Sequence, residues 1–159
     1  MVDHTAEEMS NNDITEVSLD IDNILLATDG SKYSVKATKT AIALAKLVNA
    51  KVTATFVDTG KEDAWLPEEN LQEEVQLGVH PSEAGLEIAK KFGKKNGVEV
   101  STTVLKGGVT KEIVYYARNH DIDLIIIGES GRTGLARIAL GSVAESVTKA
   151  SDVPVLVSK

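Results

Sequence analysis

From Ile21 onward, short aliphatic runs alternate with longer amphipathic stretches, a pattern that predicts strands interleaved with helices. Ile24 to Thr28 reads as a buried strand. Ser34 to Val48 reads as an alanine-rich helix whose apolar positions Ala37, Ala41, Ala45 and Val48 recur at helical spacing. Lys51 to Val57 is rich in β-branched residues and closed by Asp58, which makes it the second strand. Pro81 to Asn96 begins with a proline suited to a first helical turn and stops at Asn96-Gly97. Glu99 to Leu105 is a third strand, and Val109 to Asn119 a helix after Gly107-Gly108. Leu124 to Ile127 is a run of branched aliphatics suited to a strand buried on both faces. A short helix over Ser142 to Lys149 and a last strand over Pro154 to Val157 complete the order. Strands separated by helices imply a mostly parallel sheet with right-handed crossovers and helices on both faces, a doubly wound α/β domain.

Two segments stand outside this alternation. Residues 1–20 are polar and acidic, too poor in apolar surface to offset their chain entropy, and are expected to be a mobile tail ahead of one domain over residues 21–159. The connection from Asp58 to His80 is too long for an ordinary βα loop. It carries Leu66, Leu71, Val75 and Leu77, so part of it is expected to pack as a helix. A lid, a dimer-contact arm and an inert insertion all remain open for it.

Composition narrows the function classes. A chain of 159 residues, 42% hydrophobic, has the size and content of one core covered by helices. No run approaches the length of a membrane span and the start lacks a secretion signal, so the expected location is the cytoplasm, without membrane attachment. The absence of cysteine excludes disulfides, zinc-thiolate sites and cysteine nucleophiles. Seven of the 24 carboxylates fall within residues 1–22, where there is no Lys or Arg; the remainder carries 17 acids against 17 bases. A neutral body has no electrostatic footprint for nucleic acid, and one Trp, three Tyr and two Phe form no stacking platform for bases.

Ligands of open α/β sheets sit beyond the carboxyl ends of the strands, where strand order reverses. Two βα loops stand out: Thr28-Asp29-Gly30-Ser31, and the segment from Gly128 through Glu129, Ser130, Gly131, Arg132, Thr133 and Gly134 to Gly141-Ser142. Glycines admit positive φ and let amides approach phosphate oxygens, while a helix opening at Ser142 presents unpaired N–H groups and the positive end of its dipole. A dipole contact contributes only about 0.3–1 kcal/mol. Micromolar binding requires roughly 8 kcal/mol, so several amides, Arg132 or the Ser142 hydroxyl, and a buried base must combine. The same residues admit a ligand-free reading, because Ser142-Val143-Ala144-Glu145 has the spacing of a capping box. Asp29, likewise, suits an Asx-turn at a strand end.

Gly128, Gly131, Gly141 and Ser142 reproduce the G-x2-G-x9-G-(S/T) signature, and on these residues the chain resembles the ATP-binding branch of the universal stress protein family. The similarity extends through Ile125-Ile126-Ile127, Gly134-Leu135-Ala136-Arg137, Ser142 to Val147, Val153 to Val157 and the opening Ile24 to Ser31. The resemblance implies an adenine nucleotide alpha-hydrolase-like fold: five parallel strands in the order 3-2-1-4-5, with both loops beside the switch point. It further implies that Ala27 and Val57 meet adenine through backbone atoms, with Thr28 beside them and Asp29 near the ribose or a metal. Ile127 and Gly128 would line base and sugar. Ser130, Gly131, Arg132, Thr133, Gly141, Ser142 and Val143 would form the phosphate side, with magnesium accompanying the nucleotide. Glu129 departs from the small or basic residues common in relatives, and Lys106-Gly107-Gly108 lacks an acidic residue often found after this glycine.

Turnover is not expected. There is no G-x4-G-K-(S/T) loop and no G-x-G-x2-G fingerprint, and His4, His80 and His120 read as solvated. The sequence thus points to a nucleotide-dependent stress or signalling module. A slow metal-dependent ATPase or phosphoryl-transfer enzyme using Asp29 or Glu129, and a protein-interaction subunit with a purely structural loop, are the alternatives. The short apolar run Val153 to Val157 is an edge that invites pairing with a second chain, an expected homodimer that the resemblance also implies.

Overall fold

The structure is a computed structural model that describes residues 17–60, 81–129 and 141–159. The acidic tail up to residue 16, the insertion beyond Gly60, and the expected phosphate-side residues Ser130, Gly131, Arg132 and Thr133 lie outside the described residues. Along the chain run β1 (Asn23–Ala27), α1 (Lys32–Val48), β2 (Lys51–Asp58), α2 (Pro81–Asn96), β3 (Val100–Lys106), α3 (Val109–Asn119), β4 (Leu124–Gly128), α4 (Ser142–Ala150) and β5 (Val155–Ser158). The strands form a five-stranded sheet in the order β3-β2-β1-β4-β5. Every neighbouring pair is parallel.

Alternation along the central strands sends residues to two separate cores. Ile24 and Leu26 of β1, Val52, Ala54 and Phe56 of β2, and Leu124 and Ile126 of β4 pack under Ala37, Ala41, Ile42 and Ala45 of α1 and Leu86 and Ala89 of α2. Leu25, Ala27, Val57, Ile125 and Ile127 point the other way, against Ile113 and Ala117 of α3 and Ala144 and Val147 of α4. Leu25, Ile125 and Ile126 are fully buried, which explains why β1 and β4 read as continuous aliphatic runs rather than alternating ones. At the amino ends of these strands the Asp123 carboxylate accepts the amides of Asp22 and Asn23 at 2.9 and 3.0 Å, tying the entry of β1 to that of β4.

Helix α2 lies close on its supporting layer because Gly85, Ala89 and Gly93, spaced four apart, share one face. A Cβ on Gly93 would run into the Val100 side chain and stand 2.9 Å from the Val98 carbonyl.

Candidate functional site

Strand order reverses between β1 and β4, and the chain leaves these neighbours toward opposite faces: β1 feeds α1 over one core, β4 leads to α4 over the other. The two exits therefore part and leave a crevice at the carboxyl end of the sheet. The Thr28 to Ser31 turn and the described ends of the second loop, Gly128-Glu129 and Gly141-Ser142, border it.

Strand β1 ends at Ala27, one residue before the expected Thr28, and a tight turn leads into α1. The Thr28 amide still donates to the Thr55 carbonyl at 2.9 Å. The Asp29 carboxylate accepts the Ser31 amide at 3.0 Å, the Asx-turn its position suggested. Gly30 has φ +78°, a conformation few other residues tolerate. Ser31, 1% exposed, caps α1: its hydroxyl accepts the Ser34 amide at 3.3 Å, while its carbonyl accepts the Ser34 hydroxyl at 2.8 Å. The helix consequently starts at Lys32, two residues before the expected Ser34. Ser31 is a residue the periodicity missed, because Lys32 and Tyr33 give the first turn no apolar rhythm; a serine directly before a helix was the available signal.

On the facing side β4 runs one residue further than expected, through Gly128. The Glu129 amide donates to the Ser158 carbonyl at 2.9 Å, and the Glu129 carbonyl accepts the Gly141 amide at 2.6 Å. This bond joins the two described residues on either side of positions 130–140. The alternative reading of Ser142 to Glu145 as a capping box does not hold in the structure. The cap is Gly141, which has no side chain to bond the helix end, and Ser142 is the first helical residue. Glu145 does not reach back; its carboxylate binds Lys149 at 2.9 Å, one turn on. The first bond of α4 joins the Glu145 amide to the Gly141 carbonyl at 3.0 Å. The amides of Ser142, Val143 and Ala144 lie ahead of it, where no helical carbonyl reaches them. The Gly141 amide, by contrast, is already held by Glu129.

Between the two exits the structure brings Ala27, Val57 and Ile127 into one buried apolar cluster, with Val143 of α4 packed against it. Thr55, opposite Ala27 in the sheet register and 1% exposed, contributes a buried hydroxyl without a hydrogen-bond partner among the described residues. The arrangement combines an apolar floor, a polar turn at Asp29 and a helix opening whose first amides, Ser142 to Ala144, have no helical carbonyl to bond among the described residues. Such a set suits a ligand with a flat apolar body and an anionic end.

The sequence profile described as "Universal stress protein family" matches residues 20–159. Universal stress protein MJ0531 of Methanocaldococcus jannaschii is 41% identical over 137 residues, which span 86% of this chain and 81% of that one. Universal stress protein YxiE of Bacillus subtilis is 31% identical over 147 residues, spanning 84% and 96%. Among solved structures, the crystal structure of a universal stress protein in complex with cAMP matches with a TM-score of 0.66 at 26% identity, covering 87% of this chain and 97% of that one. The architecture is thus the adenine nucleotide alpha-hydrolase-like, doubly wound sheet. By profile and by relatives alike, the chain belongs to the universal stress protein family.

Proposed function

We propose that this protein binds ATP at the carboxyl ends of β1 and β4 and acts as a nucleotide-dependent regulatory module of the cytoplasm with little or no turnover. The observation that carries the reading is the opening of α4 at Gly141, without a capping side chain, beside the reversal of strand order. A helix start of this kind offers several amides and a positive dipole end to phosphate oxygens. The cAMP complex of a family member supports an adenine nucleotide as the ligand class.

In this reading Ala27, Val57 and Ile127 receive the base, and Thr28 and Asp29 meet the sugar side. Gly128 lines base and sugar beside Ile127, while Ser130, Gly131, Arg132, Thr133, Gly141, Ser142 and Val143 surround the phosphates. Ser142 and Val143 contribute amides, whereas Gly141 acts by fixing the helix start. Magnesium would enter with the phosphates, nearest the Asp29 carboxylate. Occupancy of the site then alters the surface or the oligomeric state of the protein, which is how it becomes a signal. The protomers pair through β5.

Equilibrium titration with labelled ATP tests the reading, with micromolar affinity expected and its loss in Gly131→Val. Binding no tighter than millimolar, unaltered by Gly131→Val, would overturn it. Mass spectrometry of the small molecule released on denaturation identifies which adenine nucleotide the protein carries.

A further inference from the structure

Gly85 is buried in the second turn of α2, on the face turned toward the exit of β1. A Cβ built there would stand 2.6 Å from the Thr28 hydroxyl oxygen, 2.9 Å from the Gly30 nitrogen and 3.2 Å from the Gly30 Cα. Two of these three obstructions are backbone, which cannot swing aside as a flexible side chain would. The Thr28 hydroxyl and the Gly30 nitrogen are moreover the two ends of one hydrogen bond, in which the Gly30 amide donates at 3.4 Å. A glycine inside a helix costs about 1 kcal/mol relative to alanine. Here the cost has a visible counterpart, the seating of a helix directly on the turn that carries Asp29.

Resting on the ATP reading above, we infer that Gly85 is a positioning residue for the nucleotide, its missing side chain letting α2 hold the Thr28–Gly30 turn in place. The Thr28 amide, bonded to the Thr55 carbonyl, anchors the start of the turn, and α2 packs against the residues that follow. Gly30 is in the left-handed region and adds no side chain of its own, and the Asx bond from the Ser31 amide to Asp29 is local. Helix α2, anchored by Ala84 and Ile88 against Val35 of α1, supplies the rigid surface behind it. A methyl group at position 85 displaces Gly30 or rotates the Thr28 hydroxyl, and either movement redirects Asp29.

Gly93 supplies the control. It lies two turns further along the same helix, and a Cβ there is equally crowded, but against Val98 and Val100 at the amino end of β3, the opposite end of the sheet. Gly85→Ala and Gly93→Ala should both lower thermal stability. Only Gly85→Ala should raise the Kd for ATP, by at least about tenfold, with Gly93→Ala within about twofold of wild type. Equal affinities in the two variants would overturn the inference. In unaltered protein, ATP should shift the amide resonances of Gly30 and Gly85 together and leave Gly93 in place; a stationary Gly85 amide beside a moving Gly30 would also overturn it. That measurement decides the matter even where Gly85→Ala does not fold. Protein that binds no adenine nucleotide defeats the ATP reading separately. The seating role is then read without ligand: faster hydrogen exchange at the Gly30 amide in Gly85→Ala than in Gly93→Ala supports it, and equal exchange rejects it.

Discussion

Thr55 sits in β2 between Ala27 of β1 and Thr103 of β3, and its hydroxyl is buried without a hydrogen-bond partner among the described residues. An unpaired buried hydroxyl costs on the order of 1–3 kcal/mol. Valine is nearly isosteric and favours strands, so Thr55→Val is expected to raise the unfolding free energy by about 1 kcal/mol, read from urea denaturation. A fall in stability instead would mean that the hydroxyl is bonded in solution. Glu129 poses the opposite problem, since its backbone is fixed on both sides while its carboxylate stands at the start of the segment proposed to hold the phosphates. Partly exposed like charges repel by about 0.4–1 kcal/mol, so Glu129→Gln should tighten ATP by about two- to fivefold at low salt. AMP should gain less, and the difference should shrink as salt screens the charges. Isothermal titration with both nucleotides at two salt concentrations checks this, and an unchanged ATP affinity would mean that the carboxylate faces solvent.

At the scale of elements, what the sequence made legible followed from burial. The fully buried runs of β1 and β4 and the four-residue rhythm of α1 are set by which side chains leave water, and both α2 and α3 have their expected bounds. What it did not make legible were the helix openings. The pattern Ser142-x-x-Glu145 satisfies the spacing of a capping box, yet whether Glu145 reaches back or forward depends on Lys149, one turn further along α4, and on the Glu129 carbonyl, which already holds the Gly141 amide at the start of the helix. Ser31 escaped for the converse reason, a true cap with no apolar residue behind it. The open cap at Gly141 can be tested directly. Gly141 has φ −58° and ψ 153°, values open to any residue. Gly141→Ser can supply the missing capping hydroxyl, gaining a few tenths of a kcal/mol and raising the thermal midpoint by about 1 °C. The same hydroxyl occupies amides proposed for phosphate, so ATP affinity should fall while stability rises. A variant that gains stability with no loss of affinity would place the phosphates away from the start of α4.

For the whole molecule, alternation of strands and helices established a parallel sheet but not its strand order, because several orders satisfy the same right-handed crossovers. The order 3-2-1-4-5 came from resemblance, and the register of β1 on β4 bears it out. That order leaves β5 as an edge, and its backbone directions decide how an edge can be used. The Ile125 amide bonds the Pro154 carbonyl at 3.0 Å, and the Glu129 amide bonds the Ser158 carbonyl at 2.9 Å. Residues on a parallel strand alternate in the side to which they bond. With 154 and 158 turned toward β4, Val155 and Val157 direct their N–H and C=O groups to the open edge, while Val155, Leu156 and Val157 remain only half-buried. Pro154, which has no amide to donate, belongs to the inward set and leaves the outer edge open. Val157→Pro removes an outward amide and adds ring atoms in the path of a second strand, without removing a bond to β4. If protomers pair through β5, light scattering should find a dimer for the unaltered chain and a monomer for Val157→Pro. A variant that stays dimeric would move the interface elsewhere, and a monomer in both would reject the pairing.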